Sequence, residues 1–187
     1  GWLSRPIVSL AVSSEDPTVI YAVDSSGDIY QSRDGAATAG GWRPISATLP
    51  VPARKLIAGP RLRILYVITN DGLYVTISAG THWHKMNLPE GSGKVLDVKP
   101  DPEASNIFTV VTESGAYRNK YRRQKDLGKY WDEVELSSNT DAPEPTLQFK
   151  PANNGVLKST DGGQSWVLKT EGLDICRTSA VFAPSTT

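Results

Sequence analysis

The sequence has little cysteine, no excess of charge of either sign and no long uninterrupted apolar run. Its single cysteine, Cys176, cannot form an internal disulfide and supplies no metal cluster. Twenty Lys and Arg residues balance twenty Asp and Glu residues, which argues against a nucleic-acid binder that relies on a basic field over the whole domain. The lack of a long apolar run argues against a membrane-spanning helix. The first residues show no signal-peptide pattern, so the compartment has to be inferred indirectly.

What the sequence does contain points to one globular domain built from short strands. A chain of 187 residues that is 39% apolar is large enough to bury a hydrophobic core. Its 16 glycines and 13 prolines are scattered along the chain rather than clustered. This distribution argues against long helices and predicts frequent turns between strands.

The tryptophans mark an internal repeat. They lie at intervals of 40, 41, 48 and 35 residues, with a mean of 41, at Trp2, Trp42, Trp83, Trp131 and Trp166. Four-stranded propeller blades repeat about every 40 to 45 residues. If the repeat is real, the last four tryptophans should be largely buried at equivalent places in successive blades.

The same order of segments recurs before each of these tryptophans. A first apolar run is found at 7–12, 54–58, 94–98 and 146–149, and a second at 19–23, 64–68 and 107–111. Third strands then begin at Gly27, Gly72, Gly115 and Gly155, and each fourth strand carries the tryptophan. Four strands per unit predict an all-β propeller of antiparallel blades. The approximate blades are 5–43, 52–84, 94–132 and 145–167, and residues 175–187 start a further one.

A turn motif precedes the tryptophan and is clearest at residues 159–166, which read S-x-D-x-G-x-x-W. Of three degenerate copies, the first keeps every residue type but is stretched, the second has Ser78 where the aspartate belongs, and in the third Gln124 stands where the hydroxyl residue belongs. The motif positions are Ser32, Asp34 and Trp42; Thr76, Gly80 and Trp83; Asp126, Gly128 and Trp131; and Ser159, Asp161, Gly163 and Trp166.

This motif resembles the Asp-box, or BNR repeat, of sialidases, sortilin-type receptors and several glycoside hydrolase families. The resemblance implies a β-propeller whose boxes lie on the rim, away from the ligand face. Hydroxyl and carboxylate oxygens can accept the N–H groups of their own turn, so the box residues are predicted to be structural. In particular, Asp161 should accept N–H groups of its own turn with help from Ser159.

The turns at the other end of each blade, which join second to third strands, are where the resemblance implies a ligand site. They carry Asp24, Asn70, Asp71 and Glu113, which are the candidate ligand-binding residues. Carboxylates that converge near the axis can hydrogen-bond sugar hydroxyls or hold a hydrated cation. The alternative is that these residues serve their own turns, where Asp, Asn and Ser are common.

The catalytic residues of a glycosidase cannot be assembled from this sequence. Sialidases use three arginines, a tyrosine nucleophile with a glutamate partner and an acid, and no such set can be placed here. Xyloglucanase-like enzymes need two carboxylates at a defined separation, and Asp24, Asp71 and Glu113 are eligible for that pair, although the sequence does not give their distances. We therefore predict a non-catalytic binding or scaffold module, outside the cytoplasm or secreted, that recognises glycan or protein on the axial face. The alternative is a fragment of a sialidase-like or xyloglucanase-like glycoside hydrolase.

Two further features have simple explanations. His82 and His84 flank Trp83, but a metal site would need further ligands, and we predict neither metal nor cofactor. Basic residues crowd the enlarged third turn, at Arg118, Lys120, Arg122, Arg123 and Lys125. Such charge runs are usually solvated, and contact with phosphate or an acidic partner is the alternative. No nucleic-acid partner is predicted, because no basic stripe extends this cluster.

The fourth repeat is shorter than the others. Pro151 and Gly155 are four positions apart, whereas the matching landmarks in earlier repeats are 12 to 15 apart. This spacing predicts that the second strand of the blade is missing or that residues between Pro151 and Asn154 are omitted. Since propellers hide their strand edges by closing, the chain is predicted to belong to a larger ring, completed by missing segments or by another chain.

Overall fold

The computed structural model describes residues 5–38, 41–45, 49–135, 148–152, 155–159, 164–165, 167–169 and 181–182. Its regular elements are β-strands apart from one 3-10 turn at Gln124–Asp126. Within these residues no helix is both long and apolar enough to cross a membrane.

Three antiparallel four-stranded sheets follow one another along the chain and form blades 1 to 3. Blade 1 contains β1 (Ile7–Val12), β2 (Ile20–Asp24), β3 (Ile29–Ser32) and β4 (Arg43–Pro44). Blade 2 contains β5 (Ala53–Ala58), β6 (Leu65–Thr69), β7 (Gly72–Thr76) and β8 (His84–Lys85). Blade 3 contains β9 (Val95–Pro100), β10 (Ile107–Thr112), β11 (Ala116–Lys120) and β12 (Trp131–Val134). The predicted all-β propeller fold is confirmed.

The core lies between the blades because successive side chains of a strand point to opposite faces of its sheet. In β6, Leu65 and Val67 pack towards blade 1, whereas Tyr66 and Ile68 pack towards blade 3. Phe108 and Val110 of β10 complete the cluster between blades 2 and 3, and both are fully buried. Each middle strand therefore supplies apolar side chains to a neighbouring blade, and blades stabilise one another by burial.

The fourth sheet corrects the strand assignment made from the sequence. It holds β13 (Gln148–Ala152), β14 (Gly155–Ser159) and β15 (Val167–Lys169). Its first two strands pair in the register that β6 and β7 use in blade 2, with Gln148 opposite Ser159 as Leu65 is opposite Thr76. Residues 146–149 were expected to belong to an inner strand, yet 148–152 occupy the place of the second. The second strand is present, and it is the inner strand that has no counterpart among the described residues of this sheet.

The last described strand, β16 (Val181–Phe182), lies beside blade 1. It pairs in parallel with β1, with Leu10 opposite Val181 and Ala11 opposite Phe182. Inner strands of successive blades run in the same direction, so a parallel partner for β1 has the direction of an inner strand. That residues 175–187 begin a further blade of a larger ring stays a prediction.

Candidate functional site

The candidate ligand-binding residues lie at one end of the blades, which we call the axial face. It carries the turns that join β2 to β3, β6 to β7 and β10 to β11, together with the segments that connect one blade to the next. The opposite end, called here the turn face, carries the β3–β4, β7–β8 and β11–β12 turns. Antiparallel strands place consecutive turns at opposite ends, so the two sets of predicted residues are separated.

Asp24 is used by its own turn. Its side chain is 1% exposed, and Oδ1 accepts the N–H groups of Ser26 at 2.8 Å and Asp28 at 3.0 Å. Oδ2 is buried, lies 3.8 Å from Nη1 of Arg5, and has no hydrogen bond within the part of the chain that the structure describes. The structure therefore gives Asp24 the role of a turn-closing residue with one arginine near its second oxygen.

Asp71 is directed towards the outer edge of blade 2. Its Oδ2 accepts hydrogen bonds from Nζ of Lys85 at 2.7 Å and from the Tyr74 hydroxyl at 3.0 Å. The Lys85 hydrogen bond, followed by that of Tyr74, holds the pKa of Asp71 below its ordinary value. The lowered pKa favours the ionised carboxylate. Because Lys85 belongs to the outer strand β8, the carboxylate is turned away from the inner edge. Its neighbour Asn70 is exposed.

Glu113 supports the entry to the inner strand of blade 3. Its Oε2 accepts the N–H of Lys94 at 3.0 Å. No hydrogen bond or ion pair in the described part of the chain joins Glu113 to Asp24 or Asp71. Across the described ranges, no three His, Cys, Asp or Glu side chains form a group able to hold a metal ion.

A feature of the inner strands was missed by sequence analysis. In blades 1 to 3 the pairing of the inner strand with its neighbour slips by one residue at the same place. The extra residues are Val8, Arg54 and Leu96, so each inner strand contains a β-bulge. Bulges are common next to functional sites because they redirect a side chain. Arg54 and Leu96 are exposed here, and the only sequence signal is that they interrupt the alternation of apolar residues.

The residues that follow the bulges connect the blades in series. Ser9 Oγ accepts the N–H of Leu56 at 3.0 Å across blades 1 and 2. Lys55 Nζ donates to Oδ1 of Asp97 at 2.8 Å across blades 2 and 3. These contacts fix the spacing of the inner edges of neighbouring blades. The exposed bulge residues Arg54 and Leu96 beside them add one cationic and one apolar side chain to the surface.

The turn face shows why the motif residues recur. Ser32 Oγ donates to Oδ1 of Asp34 at 2.6 Å and accepts the N–H of Ala36 at 3.0 Å. The second carboxylate oxygen of Asp34 accepts from the Thr38 hydroxyl at 2.6 Å. Hydrogen bonds from Ser32 and then Thr38 lower the pKa of Asp34. All of these groups act within one turn.

Blade 2 closes the equivalent turn without a carboxylate. Thr76 Oγ1 accepts the N–H groups of Ser78 and Gly80, both at 3.1 Å. Ser78, which stands in place of the aspartate, accepts the N–H of His82 at 3.2 Å. A hydroxyl therefore replaces the carboxylate as the local acceptor.

Blade 3 departs from this arrangement. The strand register places Asn119, not Gln124, at the hydroxyl position, because Phe108 lies opposite Asn119 as Leu65 lies opposite Thr76. Asn119 Nδ2 donates to the Tyr130 carbonyl at 2.6 Å, while its buried Oδ1 has no hydrogen-bond partner among the described residues. In the sequence, the motif position lies at a fixed distance after the aromatic residue of the third strand, and this distance identifies Asn119. Asparagine has no hydroxyl group, so the residue type did not indicate the position.

The tryptophans occupy equivalent places at the start of the outer strands. Trp42 is buried, whereas Trp83 and Trp131 are half-buried and pack against the cores that join their blades to the preceding ones. Trp131 Nε1 donates to the carbonyls of Asn87 at 2.8 Å and Gly128 at 3.0 Å. Burial is thus less complete than expected for two of them.

Four predicted positions belong to the fourth repeat. Ser159 is buried at the end of β14. Asp161, Gly163 and Trp166 lie outside the described residues, so the predicted hydrogen bonds of Asp161 stay a prediction.

The chain was compared with known proteins. No protein-family model and no curated protein matches it. Solved β-propellers do match. The chain resembles YCF48 from Cyanidioschyzon merolae with a TM-score of 0.53 and 18% identity, covering 90% of this chain and 57% of that one.

Two other propellers give similar values. An ancestral GH74 enzyme matches with a TM-score of 0.51 and 16% identity over 87% of this chain and 24% of that one. Apo AztD from Citrobacter koseri matches with a TM-score of 0.50 and 13% identity over 92% of this chain and 49% of that one. The chain spans a quarter to somewhat over half of the length of these structures. At such low identity the likeness shows the fold alone.

Proposed function

We propose that the chain is a non-catalytic binding or scaffold module of the Asp-box propeller type that recognises glycan or protein on its axial face. We also propose that it works outside the cytoplasm, as the resemblance to secreted and receptor propellers implies. The matching propellers support the propeller fold on which this proposal rests. Because one propeller fold serves many chemistries, the function has to be argued from the site.

The observation that carries the proposal is the local use of the three axial-face acids. Asp24 closes its turn, Asp71 is paired with Lys85, and Glu113 accepts the backbone N–H of Lys94. A glycosidase needs one carboxyl group that stays protonated near neutral pH and a second carboxylate across the cleft. The lowered pKa of Asp71 opposes the role of proton donor. Because the three carboxylates are engaged in local contacts, we assign ligand contact to the exposed surface beside them and no catalytic role to these acids.

The exposed surface beside the inner edges fits recognition. Arg54 and Leu96 are exposed at successive bulges, and Leu96 is 54% exposed. A cation and an aliphatic side chain presented by rigid paired strands form a contact surface that needs little ordering on binding. The same surface suits a polar glycan with an apolar ring face or a protein loop.

Binding can be tested with the full chain on arrays of glycans and of peptides. Replacement of both exposed bulge residues, in the double variant Arg54→Ala/Leu96→Ala, should remove the signal. The variant Arg43→Ala removes an exposed cation from the outer strand β4 and serves as the matched control. Binding that survives the double variant but not the control would contradict the axial-face assignment.

The enzyme alternative has its own test. The full chain is incubated with xyloglucan and with sialylated oligosaccharides, and reducing sugar or released sialic acid is measured. No release is expected. Release that is abolished by Asp71→Ala or Glu113→Ala would overturn the proposal in favour of a glycoside hydrolase fragment.

A further inference from the structure

The turn between β11 and β12 concentrates positive charge on the turn face of blade 3. From residue 118 to residue 130 there are six cations and one carboxylate, Asp126. All six cationic side chains are exposed: Arg118, Lys120, Arg122, Arg123, Lys125 and Lys129. The whole chain has no net charge, so this excess is local to the end of β11, which carries Arg118 and Lys120, and to the turn that follows it.

Within the described residues these six cations have no acidic partner, unlike four other basic side chains of the chain. Arg5, Lys55, Arg61 and Lys85 each lie within 4 Å of a carboxylate. In the described part of the chain, no carboxylate oxygen lies within that distance of any of the six. Like charges placed close together repel one another, so the cluster favours an anionic occupant.

A cavity opens among these residues. Its volume is about 460 Å³, and its lining includes Lys120, Arg122, Asp126 and Tyr130. Tyr130 is 66% exposed, a high value for a large aromatic side chain. A cavity of this size falls within the usual range of ligand pockets. Tyr and Arg are, with Trp, the residues enriched among those that dominate protein contacts.

The frame of the cavity is fixed by buried contacts. Asn119 holds the Tyr130 carbonyl at 2.6 Å. Tyr121 is buried, its hydroxyl donates to the Ser105 carbonyl at 3.0 Å, and its own carbonyl accepts from Asn106 at 2.9 Å. The two ends of the loop are therefore anchored, which lowers the entropy lost when a ligand binds.

We propose that this cavity binds an acidic peptide segment of a protein partner. Lys120 and Arg122 receive its carboxylates, and Arg can do so with two parallel hydrogen bonds. Asp126 lies in the same cavity and repels a bare oxyanion such as sulfate or phosphate. A peptide brings main-chain N–H donors as well as carboxylates, so it satisfies both signs of charge. The site lies at the opposite end of the blades from the axial face, and either proposal can fail without the other.

The test uses the full chain and a fluorescently labelled peptide of four glutamates around one tyrosine, followed by fluorescence anisotropy at low ionic strength. The double variant Lys120→Gln/Arg122→Gln should raise the Kd by about tenfold or more, as expected for the loss of hydrogen bonds to charged groups. The matched control, Arg33→Gln/Arg43→Gln, removes two exposed cations from the β3–β4 region of blade 1 and should leave the Kd within about twofold. All four residues are exposed, so both variants should unfold at the temperature of the parent.

Further arms separate the peptide from other anions. The same peptide with glutamine in place of glutamate should not bind, and Tyr130→Ala should weaken binding of the glutamate peptide. A heparin hexasaccharide and a single-stranded DNA of matched charge are used as competitors. Equal loss of binding in both double variants, or tighter binding of either competitor than of the peptide, would overturn the proposal.

Discussion

The β7–β8 turn of blade 2 and the β11–β12 turn of blade 3 end alike and begin differently. Gly80 and Gly128 both precede their tryptophan by three residues and have positive φ angles, 82° and 71°. A Cβ on Gly80 would lie 2.5 Å from Ile45, and one on Gly128 would lie 3.3 Å from Met86. Both glycines therefore let the turn approach the preceding blade.

The starts of the two turns do not share this constraint. In blade 2 the Thr76 hydroxyl accepts two N–H groups of the turn, whereas in blade 3 Asn119 reaches forward to Tyr130. The comparison shows that contact with the neighbouring blade fixes the end of the turn. The start of the turn only has to satisfy its own polar groups, so its length can differ between blades. In blade 3 the longer turn contributes to the charged cavity.

The largest expected effect tests whether blade 3 keeps the common frame despite its different turn. Phe108 is fully buried, and its ring centroid lies 5.0 Å from that of Tyr66 and 6.0 Å from that of Trp131. Phe108→Ala should reduce the free energy of unfolding by about 3–5 kcal/mol, measured by urea denaturation. The control Thr109→Ala changes the adjacent half-buried residue on the other face and should cost less than about 1 kcal/mol. Similar losses in both would contradict the inter-blade core.

The repeat could be predicted from the sequence because burial between blades forces a regular spacing. Tryptophans, glycines and apolar runs all report that spacing, and the strands of blades 1 to 3 follow it. The fourth repeat was misassigned because residues 146–149 look like an inner strand by composition, and only the pairing of Gln148 with Ser159 reveals the second strand.

The next test concerns the start of the turn in blade 2. Thr76→Val keeps the shape of the side chain but leaves the N–H groups of Ser78 and Gly80 without their acceptor. We expect a loss of about 1–3 kcal/mol in the free energy of unfolding, the usual cost of unpaired buried groups. Thr109→Val is the matched control, because the Thr109 hydroxyl has no hydrogen bond in the described structure. Equal stability of Thr76→Val and the parent would show that the turn does not depend on the hydroxyl.

The same position in blade 3 should respond differently. Asn119→Ser restores the hydroxyl type of the motif, but it removes the hydrogen bond to the Tyr130 carbonyl. The N–H of Tyr121, the counterpart of the Ser78 N–H, already donates to the Asn106 carbonyl, so a serine at position 119 does not gain that donor. The variant should therefore lose about 1 kcal/mol, measured by thermal unfolding. A more stable variant would mean that the turn can adopt the form seen in blade 2.

The candidate site was harder to predict than the fold. Asp, Asn and Glu residues in turns look the same in a sequence whether they serve a ligand or their own backbone. Only the contacts show that Asp71 is paired with Lys85 and that Asp24 closes its turn. The bulges at Arg54 and Leu96 interrupt the alternation of apolar residues, but only the pairing with the neighbouring strand shows which residue is the extra one.

The smallest expected effect is a pH dependence of stability that the turn of blade 1 should show and the turn of blade 2 should not. The first turn contains the Asp34 carboxylate, and the second has the uncharged Ser78 in its place. Hydrogen bonds from Ser32 and Thr38 lower the pKa of Asp34 in the folded state below its ordinary value of 3.8. The ionised form thus favours folding above that value, and the contribution is lost as the pH falls through it towards the folded pKa. The difference in Tm between the parent and Asp34→Asn should therefore shrink between about pH 7 and pH 3. Asp16 and Asp71 also have lowered pKa values, but their effects cancel in this difference because both proteins contain them. For Ser78→Ala the difference should stay constant over the same range, and a parallel pH dependence in both variants would show that the Asp34 carboxylate is not the titrating group.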